Sequence, residues 1–386
     1  MKAIIMAGGT GTRLWPMSRE SKPKQFFELV SDEPLILETY RRLLKFFPEE
    51  KIYFSVSEPL AEMLRAHFPD WPVERMIIEP EKRDTGPAMG FVAAILELDD
   101  PDEPIIFIPS DHFIGDEEKF LSCLSVGDQL IRETGKMLDI GVVPTFPSTV
   151  LGYTRIGELL EVREGVEIFN FAGHTEKPPY EIAKQYLEEG SYLWHASYYM
   201  WTPRKFMEAF ENYAPEMATV LREIQQTLHH SPLREGFEGQ TTTLPPSLGF
   251  GGTPPKASVG GAPLHHLYAK LPKTSFDYAV TEKMDPADVL IIKGDFGWSD
   301  IGAWDTLHDR LSTEENNNVT KGRSILIDTE NSLIYAPEGK TVAVLGMKDI
   351  VVVDTGDALL VCPKSEAQRV KEIISQLKEN NFHDVL

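Results

Sequence analysis

The chain has 386 residues, 42% hydrophobic and 25% charged, the composition of an ordinary globular protein of two or three structural units. Its 38 basic and 60 acidic residues leave a net charge of −22, which repels nucleic acid, and no apolar run approaches the ~20 residues that span a membrane. Two cysteines outside any CxxC spacing exclude a disulfide framework and a cysteine-built zinc site, and without a secretion signal the expected location is cytoplasmic.

Residues 1–7 form a short apolar run that ends in Gly8-Gly9-Thr10-Gly11-Thr12-Arg13, the pattern of a buried strand followed by a loop that exposes its backbone. Pro34 precedes a helical pattern over 35–47, with Leu37, Tyr40, Leu44 and Phe47 on one stripe. Further apolar runs at 52–56, 76–78, 105–108 and 137–143 alternate with helix-compatible stretches at 60–68, 86–98 and 120–134. This alternation predicts an α/β fold, a mixed, mostly parallel sheet with helices on both faces, whose ligands sit beyond the carboxyl ends of the strands. Gly8 to Arg13 and Pro109-Ser110-Asp111 would fall there.

Over 229–264 the sequence turns rich in Gly, Pro, Thr and Ser, with too little apolar surface to offset ordering entropy, and it reads as a mobile low-complexity insertion. Regular texture resumes at Leu267. After Glu314-Glu315-Asn316-Asn317-Asn318, short β-type runs at 324–327, 332–335, 341–345, 350–353 and 358–361 are separated by turn signals. They predict a small β domain over 313–386, closed by a helix from Ser365 in which Gln368 completes a capping box. Val370, Ile373, Ile374 and Leu377 would be its buried stripe.

Neither common glycine loop fits the N-terminal motif. A P-loop needs GxxxxGK[ST]; Gly339-Lys340-Thr341 ends correctly, but Ile334 stands where the first glycine belongs. A dinucleotide fold needs GxGxxG opening a helix; Gly9-Thr10-Gly11 begins well, but Leu14 breaks the pattern and Pro16 and Pro23 forbid the helix. What remains is a long loop with Arg13, Arg19, Lys22 and Lys24 and a single acid, Glu20. Such a positive island in an acidic protein suits a polyphosphate.

Ala7-Gly8-Gly9-Thr10-Gly11-Thr12-Arg13-Leu14-Trp15-Pro16, with Lys22-Pro23-Lys24-Gln25-Phe26, resembles the sugar-phosphate nucleotidyltransferases, and among them the branch that forms GDP-mannose. Further blocks follow in order: Glu79-Pro80 with Arg83-Asp84-Thr85-Gly86, Pro109-Ser110-Asp111-His112, Gly152-Tyr153 and Glu176-Lys177-Pro178. Ser275-Phe276-Asp277-Tyr278 and Phe296-Gly297-Trp298-Ser299-Asp300 complete the set, and the resemblance covers nearly the whole chain outside the insertion. It implies a Rossmann-like nucleotidyltransferase domain over 1–312 and a left-handed β-helix-like domain over 313–386. Longer relatives carry a cupin-type phosphomannose isomerase beyond this point, so isomerase activity is expected to be absent.

The implied reaction is attack of the mannose-1-phosphate oxygen on the α-phosphorus of GTP, assisted by Mg²⁺, with pyrophosphate leaving. The resemblance assigns nucleotide contact to Ala7, Gly8, Gly9, Thr10, Gly11, Thr12 and Ser110, and the departing phosphates to Arg13. It gives the α-phosphate or sugar phosphate to Lys24 and the metal to Asp111 and Asp300. Glu176 would accept from sugar hydroxyls, Lys177 would meet the sugar phosphate, and Gly152 beside Tyr153 would let the sugar approach. Glu79, Arg83 and Thr85 are candidates for the guanine end, although main-chain groups near Ala7 and Gly8 could equally read the base. The chain departs from the family at Asp84 (for Asn), Gly86 (for Ala) and Trp194-His195-Ala196-Ser197 (for Trp-Asn-[Ser/Ala]-Gly). His195 then stands where an Asn helps hold the sugar. Glucose-1-phosphate with UTP or dTTP stays open as an alternative substrate pair, as does a non-catalytic nucleotide-sugar sensor. Arg13, Lys24, Asp111 and Asp300 together argue against the sensor. A homodimer is one assembly the residues leave open.

Overall fold

Lys-Ala-Ile-Ile-Met-Ala opens the chain as β1 (Lys2–Ala7), buried at every position except a half-buried Met6. A nearly unbroken apolar run of this kind is the mark of a strand covered on both faces. The computed structural model describes residues 1–9, 11–229, 261–313 and 318–386, and Thr10 lies outside them. The described chain forms two compact units, one of Met1–Gly8, Phe47–Ile108 and Glu118–Asp295, the other of Gly9–Phe46, Pro109–Glu117 and Phe296–Leu386.

The first unit is built on a nine-stranded sheet. After β1 come β2 (Ile52–Ser57), β3 (Met76–Glu79), β4 (Ile105–Pro109), β5 (Met137–Val142), β6 (Gly152–Arg163), β7 (Val166–Thr175), β8 (Tyr192–Trp201) and β9 (Val289–Gly294), in the spatial order β3-β2-β1-β4-β8-β5-β9-β7-β6. β1, β2 and β3 pair in parallel, as do β5 and β9. β8 runs antiparallel to β4, β5 and β6. Helices Glu58–His67, Thr85–Asp99 and Glu117–Thr134 occupy the stretches whose patterns predicted them.

The β6–β7 hairpin, β8 and β9 are additions to the strands expected from sequence. β6 leaves Leu159, Leu160 and Val162 exposed among charged residues, so it offers no apolar run to notice. Its signal is the two-residue turn Glu164-Gly165, with φ of 52° and 80°, the positive pair that a tight hairpin demands. The expected insertion is narrower than 229–264: His229 ends the helix Pro215–His229, and a helix Gly261–Tyr268 starts before the anticipated resumption at Leu267. Residues 230–260 lie outside those described.

In the second unit, Leu14, Trp15, Leu35, Ile301, Trp304, Leu333, Val351, Val353, Leu360, Ala367 and Val370 share one buried apolar cluster. β10 (Val319–Lys321), β12 (Leu333–Tyr335) and β14 (Ile350–Asp354) stack in parallel, β11 (Arg323–Ile327) pairs in parallel with β13 (Thr341–Leu345), and β15 (Leu359–Pro363) closes the stack antiparallel. From β11 onward successive rungs repeat every 18 residues: Ile350 N–H donates to Ser332 Oγ at 3.2 Å, and Lys348 Nζ to Glu330 Oε2 at 2.7 Å. Asn331 and Asp349 turn equivalent corners at φ 49° and 54°, a conformation that Asn and Asp tolerate best after glycine.

The closing helix differs from its sequence pattern. Lys364–Arg369 is a 3₁₀ segment and the α-helix runs Val370–Glu379, so no capping box forms at Ser365. Gln368 instead turns its amide to tertiary partners. The apolar stripe does pack, with Ile373, Ile374 and Leu377 half-buried against the cluster that holds Val370.

Candidate active site

The phosphate-type residues gather in the second unit. Leu14 and Trp15 anchor the loop by inserting into the apolar cluster, and Trp304 Nε1–H donates to the Trp15 carbonyl at 2.9 Å. Gly11 sits at φ 63°, and a Cβ there would lie 2.8 Å from Cβ and Cγ of Lys24, so glycine is required both for backbone and for space. Lys24 is 6% exposed; its ammonium is 2.9 Å from Asp111 Oδ2 and donates to the Asp300 carbonyl at 2.6 Å. Both aspartates expected to hold a metal are thus gathered around one lysine. A Cβ on Gly9 would be 3.7 Å from Asp111 Oδ2, so that glycine leaves the carboxylate approachable.

Burial works against the ionised form of Asp111, yet Lys24 foremost, then His112, hold its carboxyl below the usual carboxylate range. Burial pushes the neighbouring His112 down to about 4, against the pull of Asp111. Its ring is neutral: Trp298 Nε1–H donates to Nδ1 at 3.1 Å, which leaves the proton on Nε2, 4.0 Å from Asp111 Oδ1. Ser110 is buried with its carbonyl accepting from Thr39 Oγ1 at 3.4 Å, and Thr12 opens the 3₁₀ turn Thr12–Leu14 that carries Arg13. Arg13 Nη1 donates to Gln368 Oε1 at 2.7 Å. Among the described residues no group of three or more His, Cys, Asp or Glu is arranged to hold a metal. The donor set is two carboxylates, which suits a hard cation that takes its remaining ligands from water and phosphate.

The other predicted residues belong to the first unit. Ala7 is buried at the end of β1, while a Cβ on Gly8 would meet open space. Glu79 is buried with Oε2 accepting from Tyr268 OH at 2.7 Å; burial pushes its carboxyl up to about 7, against the lowering effect of that bond. Arg83 is tied to Glu81 and to the Leu271 carbonyl, both at 2.5 Å. Thr85 Oγ1 accepts from Phe276 N–H at 3.0 Å. Of the departures from the family pattern here, Gly86 acquires a reason and Asp84 does not. Asp84 takes φ 72° and caps the helix by accepting from Thr85 N–H, both of which Asn could also do. At Gly86 a Cβ would lie 2.7 Å from the Thr274 carbonyl, so glycine admits the 274–275 backbone.

Gly152 leaves no room for a side chain, which would strike Glu176 Oε2. Glu176 pairs with Lys177 and lies 3.4 Å from His174 Nε2. Burial opposes its ionisation, but those two neighbours hold it below the usual range. Tyr153 is buried, its hydroxyl donating to the Ser148 carbonyl at 3.1 Å. His195 is buried too, with Nδ1 2.9 Å from Asp139 Oδ2 and Nε2 3.1 Å from Asp277 Oδ1. Two carboxylate acceptors require a proton on each nitrogen. Burial disfavours that cation, but Asp139 and Asp277 hold it well above the ordinary histidine range. Both ring nitrogens are therefore engaged inside the protein, and Asp277 Oδ1 also accepts from Tyr199 OH at 2.6 Å. Asp139, Asp277 and Gln368 escaped the sequence reading of roles. Asp139 had a signal: a lone charge inside the apolar run Met137–Val142 must have a buried partner.

The strand-first fold, the glycine loop and a buried lysine held by the Asp111 carboxylate and the Asp300 carbonyl define a phosphate-handling α/β enzyme class, and comparison with known proteins specifies it. The nucleotidyl transferase family matches residues 2–317, and the MannoseP isomerase/GMP-like beta-helix domain matches residues 322–377. The chain belongs to the nucleotidyl transferase family. A Vibrio cholerae serotype O1 protein provisionally named a mannose-1-phosphate guanylyltransferase is 35% identical over 98% of this chain and 74% of its own length. The mannose-1-phosphate guanylyltransferase of Escherichia coli K12 is 30% identical over 99% of this chain and 74% of that protein. A solved structure from Thermus thermophilus, described as a mannose-1-phosphate geranyltransferase, is 31% identical with a TM-score of 0.81, covering 98% of this chain and 99% of that one. Among the described residues no helix is long and apolar enough to cross a membrane.

Proposed function

We propose that the protein transfers GMP from GTP to mannose-1-phosphate, releasing pyrophosphate. The observation that carries this reading is Lys24, buried against Asp111 and the Asp300 carbonyl at the foot of a glycine loop that also bears Arg13. The relatives' names supply the guanylyl group and the sugar phosphate. Two anions must meet in line, so the chain's task is charge neutralisation and alignment rather than covalent catalysis. Lys24 stabilises charge on the attacked phosphoryl group, and the Arg13 guanidinium holds the departing β- and γ-phosphates. Gly9 and Gly11 let the backbone approach them. Asp111 and Asp300 would hold a divalent cation, Mg²⁺, which supplies charge neutralisation on the phosphates. In the first unit, Glu176 accepts from sugar hydroxyls, Lys177 meets the sugar phosphate, and Glu79 takes the N–H edge of guanine. The catalytic domain is read as 1–312 and the β domain as 313–386.

A matrix of nucleoside triphosphates against sugar-1-phosphates, followed by pyrophosphate release, tests the assignment. GTP with mannose-1-phosphate is expected to give the highest kcat/KM. A higher value for UTP or dTTP with glucose-1-phosphate would overturn it.

A further inference from the structure

We propose that Gln368, in the C-terminal β domain, is a positioning residue for the transfer: it orients the Arg13 guanidinium without cancelling its charge. The inference rests on the reading of Arg13 as the holder of the departing phosphates. Three groups of the second unit stand in a row. Arg13 Nη1 donates to Gln368 Oε1 at 2.7 Å, and Gln368 Nε2 donates to both carboxylate oxygens of Asp305 at 3.0 Å. The amide has only one orientation that satisfies both neighbours, because a guanidinium only donates and a carboxylate only accepts. Asp305 therefore locks Gln368, and Gln368 aims Arg13.

Both ends of this bond are rooted in the same apolar cluster. Arg13 is followed by Leu14 and Trp15, and Gln368 is flanked by Ala367 and Val370, all buried there. Gly302 keeps its own side chain out of the neighbourhood of Arg13: a Cβ there would lie 3.1 Å from Arg13 Nη2 and would strike Asp300 Oδ2, whose carboxylate lies near the guanidinium without an ion pair to it. The choice of an amide has a physical reason. A carboxylate against Arg13 would form an ion pair that phosphate would have to displace, whereas a neutral acceptor uses one of five N–H groups and leaves the positive charge available. The negative charge of Asp305 is kept one side chain away.

The test is the reverse reaction of the full-length enzyme, GDP-mannose with pyrophosphate, because it gives the two halves of the nucleotide separate KM values. Gln368→Ala is expected to raise the pyrophosphate KM about ten-fold, the low end for a lost hydrogen bond to a charged group, and to leave the GDP-mannose KM unchanged. Gln368→Met keeps the volume and should do the same, which separates the effect from loss of packing. Gln368→Glu should raise it further, by pairing with Arg13 and repelling Asp305. In an Arg13→Ala background, Gln368→Ala should add nothing. The proposal is overturned if Arg13→Ala raises the pyrophosphate KM and Gln368→Ala does not. It is equally overturned if both KM values rise together, or if the Gln368 effect survives without Arg13. An Arg13→Ala enzyme with an unchanged pyrophosphate KM would instead refute the assigned role of Arg13.

Discussion

Two charged clusters, one in each unit, use opposite arrangements of the same groups. In the first unit the His195 cation lies between two carboxylates, Asp139 at 2.9 Å and Asp277 at 3.1 Å, and is neutralised inside the protein. In the second unit Lys24 has one carboxylate and one carbonyl, and Arg13 has an amide. The first arrangement encloses its cation between two carboxylates; in the second Lys24 is matched one to one by Asp111, while the hydrogen-bond partner of Arg13 carries no charge. A buried cation alone therefore does not mark a phosphate site. What sets the second unit apart is Arg13, a cation whose hydrogen-bond partner is neutral.

The largest effect should come from removing either carboxylate assigned to the cation. Asp111→Asn or Asp300→Asn is expected to lower kcat/KM on the order of 10³-fold, and the double variant should be scarcely worse than either single one, since residues that act as a unit are non-additive. Kinetics across a magnesium titration check this; fully additive losses with unchanged magnesium dependence would show that the two carboxylates share no ion. On the other side of the comparison, His195→Ala leaves two buried carboxylates facing each other. It should cost about 3 kcal/mol of stability in urea unfolding, the scale for stripping one partner from a buried pair. His195→Asn should raise the KM for mannose-1-phosphate and hardly move that for GTP. An unchanged sugar KM would confine His195 to packing.

Gly11→Ala sharpens the contrast with a smaller effect. The backbone penalty at φ 63° and the displaced Lys24 methylenes should lower kcat/KM roughly ten-fold, with about 1 kcal/mol lost in stability. Normal activity would show that the loop relaxes without moving Lys24. The smallest effect concerns Glu79, whose folded-state carboxyl is raised by burial to about 7. A carboxyl raised in the folded state binds its proton more tightly there, so stability falls as pH rises from the usual 4.5 towards 7 and levels off beyond. Glu79→Gln should abolish that decline in Tm. If Glu79 accepts from guanine, the wild-type KM for GTP should also fall as pH rises through this range, and the Gln variant's should not.

How much of this was legible in the chain depends on whether the deciding interaction is local. β1, β2, β3, β4 and β5 announce themselves as apolar runs because each is buried along most of its length. β6 does not, since most of it is exposed and its register comes from pairing with β7 and β8. The glycine loop, Lys24, Asp111 and Asp300 could be read from their blocks. The gathering of both aspartates around Lys24 could not, because the contact to Asp300 spans 276 positions. Gln368 shows the limit most sharply. Its four-residue pattern specified a helix cap, but a partner 355 positions away claimed the amide instead.

The 18-residue rung of the C-terminal coil has a consequence for how its length can change over evolution. Each strand lies over its counterpart one rung away, Arg323 over Thr341 and Leu333 over Val351, and the corner residues Asn331 and Asp349 are bonded to each other. Duplicating or deleting one whole rung preserves every such pairing, because a stacked repeat touches only its neighbours. A change of one residue within a strand moves its inward side chains to the outer face and takes the corner out of line. Length variation in this part of the protein is therefore quantised, with whole turns tolerated inside the coil and shorter changes confined to its corners.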